Sequence, residues 1–136
     1  MGDLLALKKD IIKKFGTPCA VVDLNVLEEN ITRVQKLCEK AGVSNRPHIK
    51  THKSGEIARM QVNAGASGVT CQKLGEAEVM AAAGIKDILI ATNVLGAAAS
   101  GALAALQSRI SLKVCADNTY SIKAYSDAAR DAGRVL

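Results

Sequence analysis

Aromatic residues are scarce in this chain of 136 residues, which has no tryptophan, one phenylalanine and two tyrosines. So few aromatic side chains argue against a module that stacks nucleic-acid bases on aromatic platforms, and we expect no nucleic-acid partner. Long apolar runs are also missing. The longest, such as Ala102–Leu106, fall far short of the ~20 residues of a membrane-spanning helix, so we expect no membrane association.

Charged residues interrupt the opening stretch 1–14, so it contains no apolar h-region and we expect no secretory signal. Hydrophobic residues make up 49% of the chain and charged residues 23%. Both values are near those of globular proteins, which excludes the disordered and fibrous classes. The length is typical of one domain. These features predict a soluble, cytoplasmic, globular protein.

Four cysteines are present, but they form no C-x-x-C pair and no spacing typical of zinc ligands. Three of them, Cys19, Cys71 and Cys115, lie in short apolar runs, where a free cysteine behaves as a small hydrophobic residue. The formal net charge of +5 would permit an anionic ligand. Because the basic residues are spread along the whole chain, charge alone identifies no partner.

Two apolar periods alternate along the chain, and this alternation is the main structural signal. Helical spacing of apolar residues first occurs in the stretch 1–14, and Gly16-Thr17-Pro18 ends this predicted helix. The same spacing predicts five further helices, over Leu24–Ala41, Ser54–Ala64, Gly75–Ala83, Ala97–Gln107 and Thr119–Ala132. Short apolar runs predict strands over Cys19–Val22, Val43–Lys50, Gly68–Gln72, Asp87–Ala91 and Ile110–Ala116. Ser54 and Asn118 are suited to cap helices, and Gly65, Gly84 and Gly133 follow predicted helix ends.

Alternating buried strands and helices indicate an α/β fold with a parallel sheet of about five strand–helix units. Five units would complete an open, doubly wound sheet. A closed (β/α)8 barrel of the TIM type needs ~250 residues, so this chain would be about five-eighths of one. Val135-Leu136 resembles the start of a sixth strand. Composition favours the open sheet and the final residues favour the barrel, so both remain open.

One predicted strand carries basic side chains where apolar ones are expected. In parallel α/β folds, residues that contact ligands lie at the carboxyl ends of strands; here these are Asp23, Lys50 to Lys53, Gln72-Lys73, Thr92-Asn93 and Asp117-Asn118. Arg46, His48 and Lys50 alternate along the second predicted strand, which would place them on one face. Burial of three nitrogenous side chains is costly without anionic partners, so we expect a negative group nearby.

A lysine in this setting can serve as a nucleophile. Burial and the neighbouring Arg46 would both disfavour the ammonium form of Lys50, and a free amine attacks a carbonyl to form a Schiff base. A phosphorylated aldehyde would supply both that carbonyl and the negative charge. From the pattern alone, a solvated basic loop that leads into the next helix is the favoured explanation. A metal site formed by His48 and His52 lacks a third ligand nearby, and a basic nucleic-acid patch is a further alternative.

The segment 46–53, R-P-H-I-K-T-H-K, resembles the R-P-H-x-K-T-H-K stretch of D-threonine aldolases and eukaryotic-type D-serine dehydratases. These are pyridoxal-phosphate enzymes related to the amino-terminal barrel of alanine racemase. The stretch from Thr17 to Ile31 is similar to the opening T-P-x-x-x-x-D-L-x-x-L-x-x-N-I of that family, and Lys73 to Glu78 matches it in order and spacing. The likeness covers about residues 15–120.

The resemblance implies that residues 1–136 are the amino-terminal portion of an alanine racemase-like (β/α)8 barrel. It implies that Lys50 is catalytic and binds pyridoxal 5'-phosphate covalently, and that Arg46, His48, Gln72 and Asn93 surround the cofactor. Any divalent metal would have its ligands beyond this chain, so we expect no metal site here. A small D-amino acid is the implied substrate, and we also expect a homodimer.

The implied reaction is the lyase reaction of D-threonine aldolases, in which the Cα–Cβ bond of a D-3-hydroxy amino acid breaks to give glycine and an aldehyde. Three alternatives remain. The chain could belong to a D-serine dehydratase-like lyase, it could bind pyridoxal phosphate without catalysis, or it could be a doubly wound domain that binds an anion at Arg46 to Lys53.

Overall fold

The computed structural model describes residues 2–133, without the side chains of residues 2, 3 and 97–99. Met1 and the predicted strand start at Val135-Leu136 lie outside the described residues. The helices are α1 (Gly2–Phe15), α2 (Leu24–Lys40), α3 (Gly55–Asn63), α4 (Leu74–Ala82), α5 (Ala97–Gln107) and α6 (Thr119–Asp131). The strands are β1 (Val69–Cys71), β2 (Asp87–Ile90) and β3 (Ser111–Val114), and a 3-10 turn covers Ile49–Thr51.

The predicted helices are confirmed, with ends that differ by one residue or not at all from α2 to α6. Polar side chains fix where they begin. Ser54 Oγ accepts a hydrogen bond from the Ile57 N–H at 3.3 Å, and Asn118 Oδ1 accepts one from the Ser121 N–H at 2.9 Å. Asp23 caps α2 in the same way. These bonds satisfy backbone donors that the first helical turn leaves unpaired.

The three strands form one parallel sheet in the order β1-β2-β3. Alternate strand residues face the helices and are buried: Val69, Cys71, Ile88, Ile90 and Leu112 form one core cluster with residues of α4, α5 and α6. Of the opposite phase, Leu89, Ser111 and Lys113 remain at least partly exposed, whereas Thr70 is buried. The helices therefore cover one face of the sheet.

Strand order and helix placement decide between the two folds that the sequence left open. A doubly wound sheet reverses its strand order and carries helices on both faces. Here the strands follow one another in chain order, and the helices pack on one side. That arrangement is consistent with part of a TIM-type barrel, in which helices form the outer layer. The doubly wound alternative is wrong for the described residues.

Two of the five predicted strands are not observed. The stretch 43–50 runs beside β1 but forms only one parallel bridge, between His48 and Thr70. Two backbone bonds accompany the bridge, from Ser67 N–H to Asn45 O at 2.9 Å and from Thr70 N–H to Pro47 O at 2.8 Å. Pro47 has no N–H to donate in return, which interrupts the ladder.

The stretch from Cys19 to Val22 forms no strand in the described structure, and its residues are exposed. A strand requires a neighbour for its backbone groups. The adjoining stretch 43–50 provides none, because it is itself not a continuous strand. Exposed apolar side chains remain along α1 and around this stretch, including Leu4, Phe15 and Val21.

The cysteine prediction is only partly right. Cys71 is buried in β1, as expected of a small apolar residue, whereas Cys19 and Cys115 are exposed. Burial, and then the nearby charge of Glu76, raise the pKa of the Cys71 thiol to about 12. None of the helices in the described part of the chain is both long and apolar enough to cross a membrane.

Candidate active site

Polar residues collect where the strands end. β1, β2 and β3 finish at Cys71, Ile90 and Val114. Because the strands are parallel, their carboxyl ends lie together at one end of the sheet, which we call the carboxyl edge. The residues that follow at this edge are Gln72, Thr92, Asn93, Asp117 and Asn118. The stretch that bears Lys50 reaches the same edge, since it bridges β1 at His48 and then turns.

Arg46 lies at the opposite edge. The bridge sets His48 beside Thr70, so Arg46 lies two residues earlier, level with Gly68 and the first residue of β2, Asp87. Arg46 Nη1 contacts Asp87 Oδ1 at 2.7 Å. For Arg46, the expected negative group is therefore confirmed as a carboxylate of the chain, whereas Asp87 forms an ion pair with neither His48 nor Lys50. The structure does not bring Arg46 together with Lys50.

Asp87 binds two cations. Lys113 Nζ lies 2.8 Å from Asp87 Oδ2, on the side of the sheet that the helices leave open. Burial alone would raise the pKa of Asp87, but the hydrogen bonds and charges of Arg46 and Lys113 outweigh it. The pKa of Asp87 consequently lies below its ordinary value of 3.8. The sequence indicated that an anion was needed, but only the register of the sheet identified Asp87.

Lys50 does not follow the alternation of the strand. Ile49 is buried and begins the 3-10 turn, so the period of two ends at His48. The Lys50 N–H donates to His48 Nδ1 at 3.2 Å, which makes that ring nitrogen an acceptor. The Lys50 side chain is exposed. The expected burial of this amine is thus not observed. The expected effect of Arg46 on its protonation is not supported either, because the Arg46 guanidinium is paired with Asp87 at the other end of the sheet.

Lys53 and Glu76 form a second ion pair at the carboxyl edge. Lys53 Nζ lies 3.2 Å from Glu76 Oε1, and Glu76 Oε2 accepts a hydrogen bond from the Gln72 N–H at 2.8 Å. Burial would raise the pKa of Glu76, but these hydrogen bonds and the Lys53 charge leave the pKa below its ordinary value. Sequence reasoning missed Glu76, because its position in the first turn of α4 resembles that of a surface glutamate.

Gln72 and Asn93, both predicted from strand ends, lie just beyond the ends of the neighbouring strands β1 and β2. The Gln72 carbonyl accepts a hydrogen bond from Thr92 Oγ1 at 2.5 Å, which joins the ends of β1 and β2. Asn93 Nδ2 donates to Asp117 Oδ1 at 2.6 Å and thereby holds the pKa of Asp117 low. Asn93 Oδ1 is buried without a hydrogen-bond partner among the described residues. An orphaned acceptor of this kind is suited to a ligand that brings a donor.

The two histidines do not assemble a metal site. The structure, where it describes the chain, contains no group of three His, Cys, Asp or Glu residues placed to hold a metal ion. His52 Nδ1 instead accepts a hydrogen bond from the Ser54 N–H at 3.0 Å. Burial is the main cause that lowers the pKa of His52 below its ordinary value.

Comparison with known proteins identifies the family. Residues 22–136 match the family described as alanine racemase, N-terminal domain. The chain belongs to this family. The resemblance found in the sequence is thereby confirmed, and the partial-barrel architecture agrees with it.

The individual relatives are larger proteins. The chain is 39% identical over 124 residues to the D-threonine aldolase of Arthrobacter sp., a match that covers 91% of this chain and 33% of that protein. It is 38% identical over 128 residues to the D-threo-3-hydroxyaspartate dehydratase of Delftia sp. (strain HT23), covering 94% of this chain and 34% of the relative. The chain spans about a third of the length of these curated relatives.

A solved structure shows the same backbone arrangement. The crystal structure of D-threonine aldolase from Filomicrobium marinum is 40% identical in sequence and superposes with a TM-score of 0.86. The match covers 88% of this chain and 32% of that chain. The overall path of the backbone is therefore similar to that of the matching part of a solved aldolase.

Proposed function

We propose that the chain is the amino-terminal portion, residues 1–136, of a pyridoxal-phosphate-dependent lyase that acts on D-3-hydroxy amino acids. Lys50 is the residue that binds the cofactor covalently. Support comes from the family, from relatives whose names include an aldolase and a dehydratase of such substrates, and from the position of Lys50 at the carboxyl edge. The proposed fold of the complete protein is an eight-stranded barrel, and its proposed setting is a cytoplasmic homodimer.

The observation that carries the proposal is that Lys50, unlike Arg46 and Lys53 in the same segment 46–53, has no ion-pair partner among the described residues. Arg46 is paired with Asp87, and Lys53 is paired with Glu76. The Lys50 amine forms no ion pair or hydrogen bond with any residue that the structure describes, and it is exposed. An amine that stays unpaired at the ligand-binding edge of a parallel sheet is available to a carbonyl.

Residues around Lys50 fit a cofactor of this kind. Asn93 has a buried carbonyl oxygen without a donor, and the half-buried side chain of Gln72 lies at the end of β1. These two residues and His48 would surround the cofactor. Arg46 was also predicted to contact the cofactor, and that role stays a prediction. In this structure its guanidinium is bonded to Asp87 at the other end of the sheet.

Bound pyridoxal phosphate supplies an electron sink for the bond that breaks at Cα of the amino acid. The residues of this chain provide attachment and orientation. Lys50 would supply the primary amine that holds the cofactor, and as a free amine it could accept or return a proton. His48 Nδ1 fixes the Lys50 backbone through the hydrogen bond from its N–H, which limits where the amine can reach.

Reductive trapping tests the assignment of Lys50. The chain is incubated with pyridoxal phosphate, reduced with sodium borohydride and digested, and each lysine peptide is examined by mass spectrometry. We expect the phosphopyridoxyl group on the peptide that contains Lys50. Lys50→Ala should lose this product. Lys86→Ala, which removes an exposed lysine at the other edge of the sheet, should retain it.

Labelling spread evenly over the lysines, or unchanged total labelling in Lys50→Ala, would overturn the assignment. The reaction itself is tested by products. Cleavage of D-threonine gives glycine and acetaldehyde, whereas dehydration gives a 2-oxo acid and ammonia. We expect glycine and acetaldehyde from the complete protein that contains this chain, with added cofactor. Failure of that protein to form either pair of products would refute the proposed lyase activity without affecting the labelling result.

A further inference from the structure

We propose that Glu76 and Lys53 are positioning residues that hold the 3-10 turn carrying Lys50 against the end of β1. The inference rests on the proposed role of Lys50 and extends it to residues of the chain that do not touch the amine. Three separate segments meet at Glu76: Lys53, which directly follows the 3-10 turn and its cap residue His52, the end of β1 at Gln72, and the first turn of α4.

The geometry of Glu76 supports this role. The Glu76 side chain is only 10% exposed. One carboxylate oxygen binds the Lys53 amine at 3.2 Å, and the other accepts the Gln72 N–H at 2.8 Å. A carboxylate that accepts from both sides cannot shift without breaking one charge-assisted bond. Glu76 thus connects the lysine segment to the strand end.

The backbone of Lys53 supplies independent support. Lys53 has φ of +50°, the only positive φ outside glycine among the described residues. A side-chain-bearing residue stays in this region only where its surroundings enforce the conformation. The Lys53 N–H donates to Ile49 O at 2.8 Å, which closes the turn over Lys50. The ion pair with Glu76 is the side-chain contact that holds Lys53 in this position.

The Lys53–Glu76 ion pair also neutralises the positive charge nearest to Lys50 in the chain. Lys53 lies three residues from Lys50, and its charge is taken up by Glu76. The other titratable group that faces Glu76 is the buried Cys71 thiol, which carries no charge at neutral pH. Lys50 is consequently left as the unpaired cation of the turn.

Two measurements test the proposal on the full chain. The first is amide hydrogen exchange of the peptide over residues 49–54, which needs no cofactor. The second is the yield of borohydride-trapped pyridoxal phosphate on Lys50. Glu76→Gln retains the shape of the side chain and removes its charge. Since an ion pair with one exposed partner is modest in strength, we expect exchange to rise and trapping to fall by roughly 3- to 5-fold.

Variants of Lys53 separate charge from backbone strain. Lys53→Gly favours a positive φ but removes the cation, whereas Lys53→Arg keeps the cation. If the ion pair positions the turn, Lys53→Arg should keep trapping near that of the unchanged chain, and Lys53→Gly should behave like Glu76→Gln. Glu78→Gln is the matched control, because Glu78 is an exposed glutamate on the same helix. We expect it to change neither measurement.

The outcomes distinguish this proposal from the proposed function. Faster exchange in Glu76→Gln with no trapping in any chain would uphold the positioning role of Glu76 and Lys53 and reject the cofactor role of Lys50. Normal trapping and exchange in Glu76→Gln, equal to Glu78→Gln, would reject the positioning role alone. Failure of Lys53→Arg to retain trapping, with Lys53→Gly unaffected, would also overturn it, because backbone conformation rather than charge would then place Lys50.

Discussion

Gly68 offers the sharpest test of the packing between the Arg46 segment and the sheet. It lies directly before β1, is buried and has φ of +148°, a conformation that side-chain-bearing residues rarely adopt. A Cβ at this position would meet the backbone carbonyl oxygen of Asp87. It would also lie 2.6 Å from Arg46 Nη1 and 2.8 Å from the Asp87 Cβ. We predict that Gly68→Ala strongly destabilises the chain.

The magnitude follows from two separate costs. Forcing a residue with a Cβ into this backbone region costs about 1–3 kcal/mol, and overpacking a filled site costs about 1–3 kcal/mol. The arginine could move aside, but the Asp87 carbonyl belongs to β2 and cannot move without disturbing the sheet. We therefore expect the free energy of unfolding to fall by about 3–5 kcal/mol, a large part of the ~5–15 kcal/mol of a typical domain.

Urea unfolding followed by circular dichroism measures this loss. Gly75→Ala is the matched control, because Gly75 lies in α4, is exposed and has nothing within 4 Å of an added Cβ. Alanine there should leave the unfolding free energy unchanged or raise it by up to about 1 kcal/mol. A loss below about 1 kcal/mol in Gly68→Ala would refute the close approach of the two segments.

Three further predictions concern single interactions. Asp87→Asn should lower the free energy of unfolding by about 1–2 kcal/mol at neutral pH, with most of the loss absent in an Arg46→Met background in a double-mutant cycle. The pKa of Asp87 lies below 3.8, so the stabilisation that the ionised carboxylate provides is present above that pH and is lost as the pH falls through the folded-state pKa. The free energy of unfolding of Asp87→Asn should therefore fall less steeply with decreasing pH in urea titrations. Tyr125→Phe should lower the free energy of unfolding by about 1–2 kcal/mol in the same titration, since the Tyr125 hydroxyl accepts the Val94 N–H at 2.6 Å and its loss leaves a half-buried donor unpaired. An unchanged midpoint would contradict that bond. Exposed Cys19 should react with a thiol reagent in the native state at mildly alkaline pH, whereas buried Cys71, whose pKa is about 12, should react only on unfolding. Equal reaction rates of the two cysteines, measured by mass spectrometry, would contradict the burial of Cys71.

Local chemistry made the helices and their ends predictable. Apolar spacing of three and four residues, with Ser54 and Asn118 as caps, located α3 and α6 to within one residue. The strands β1, β2 and β3 were also found, because short apolar runs between helices have few alternatives in an α/β chain. The predicted strands at 19–22 and 43–50 were wrong, since a strand exists only where a neighbour completes its ladder and Pro47 lacks the required N–H.

The sequence by itself determined the helices, the three strands, the family and the lysine at the end of the R-P-H-I-K motif, because each depends on residues close together in the chain. It also indicated that the basic segment needed a negative group nearby. Only the tertiary structure decided that Asp87 serves Arg46 at one edge of the sheet and that Glu76 serves Lys53 at the other. These partners are 41 and 23 residues apart in the chain, and the parallel register of separate segments, which no local pattern encodes, brings them into contact.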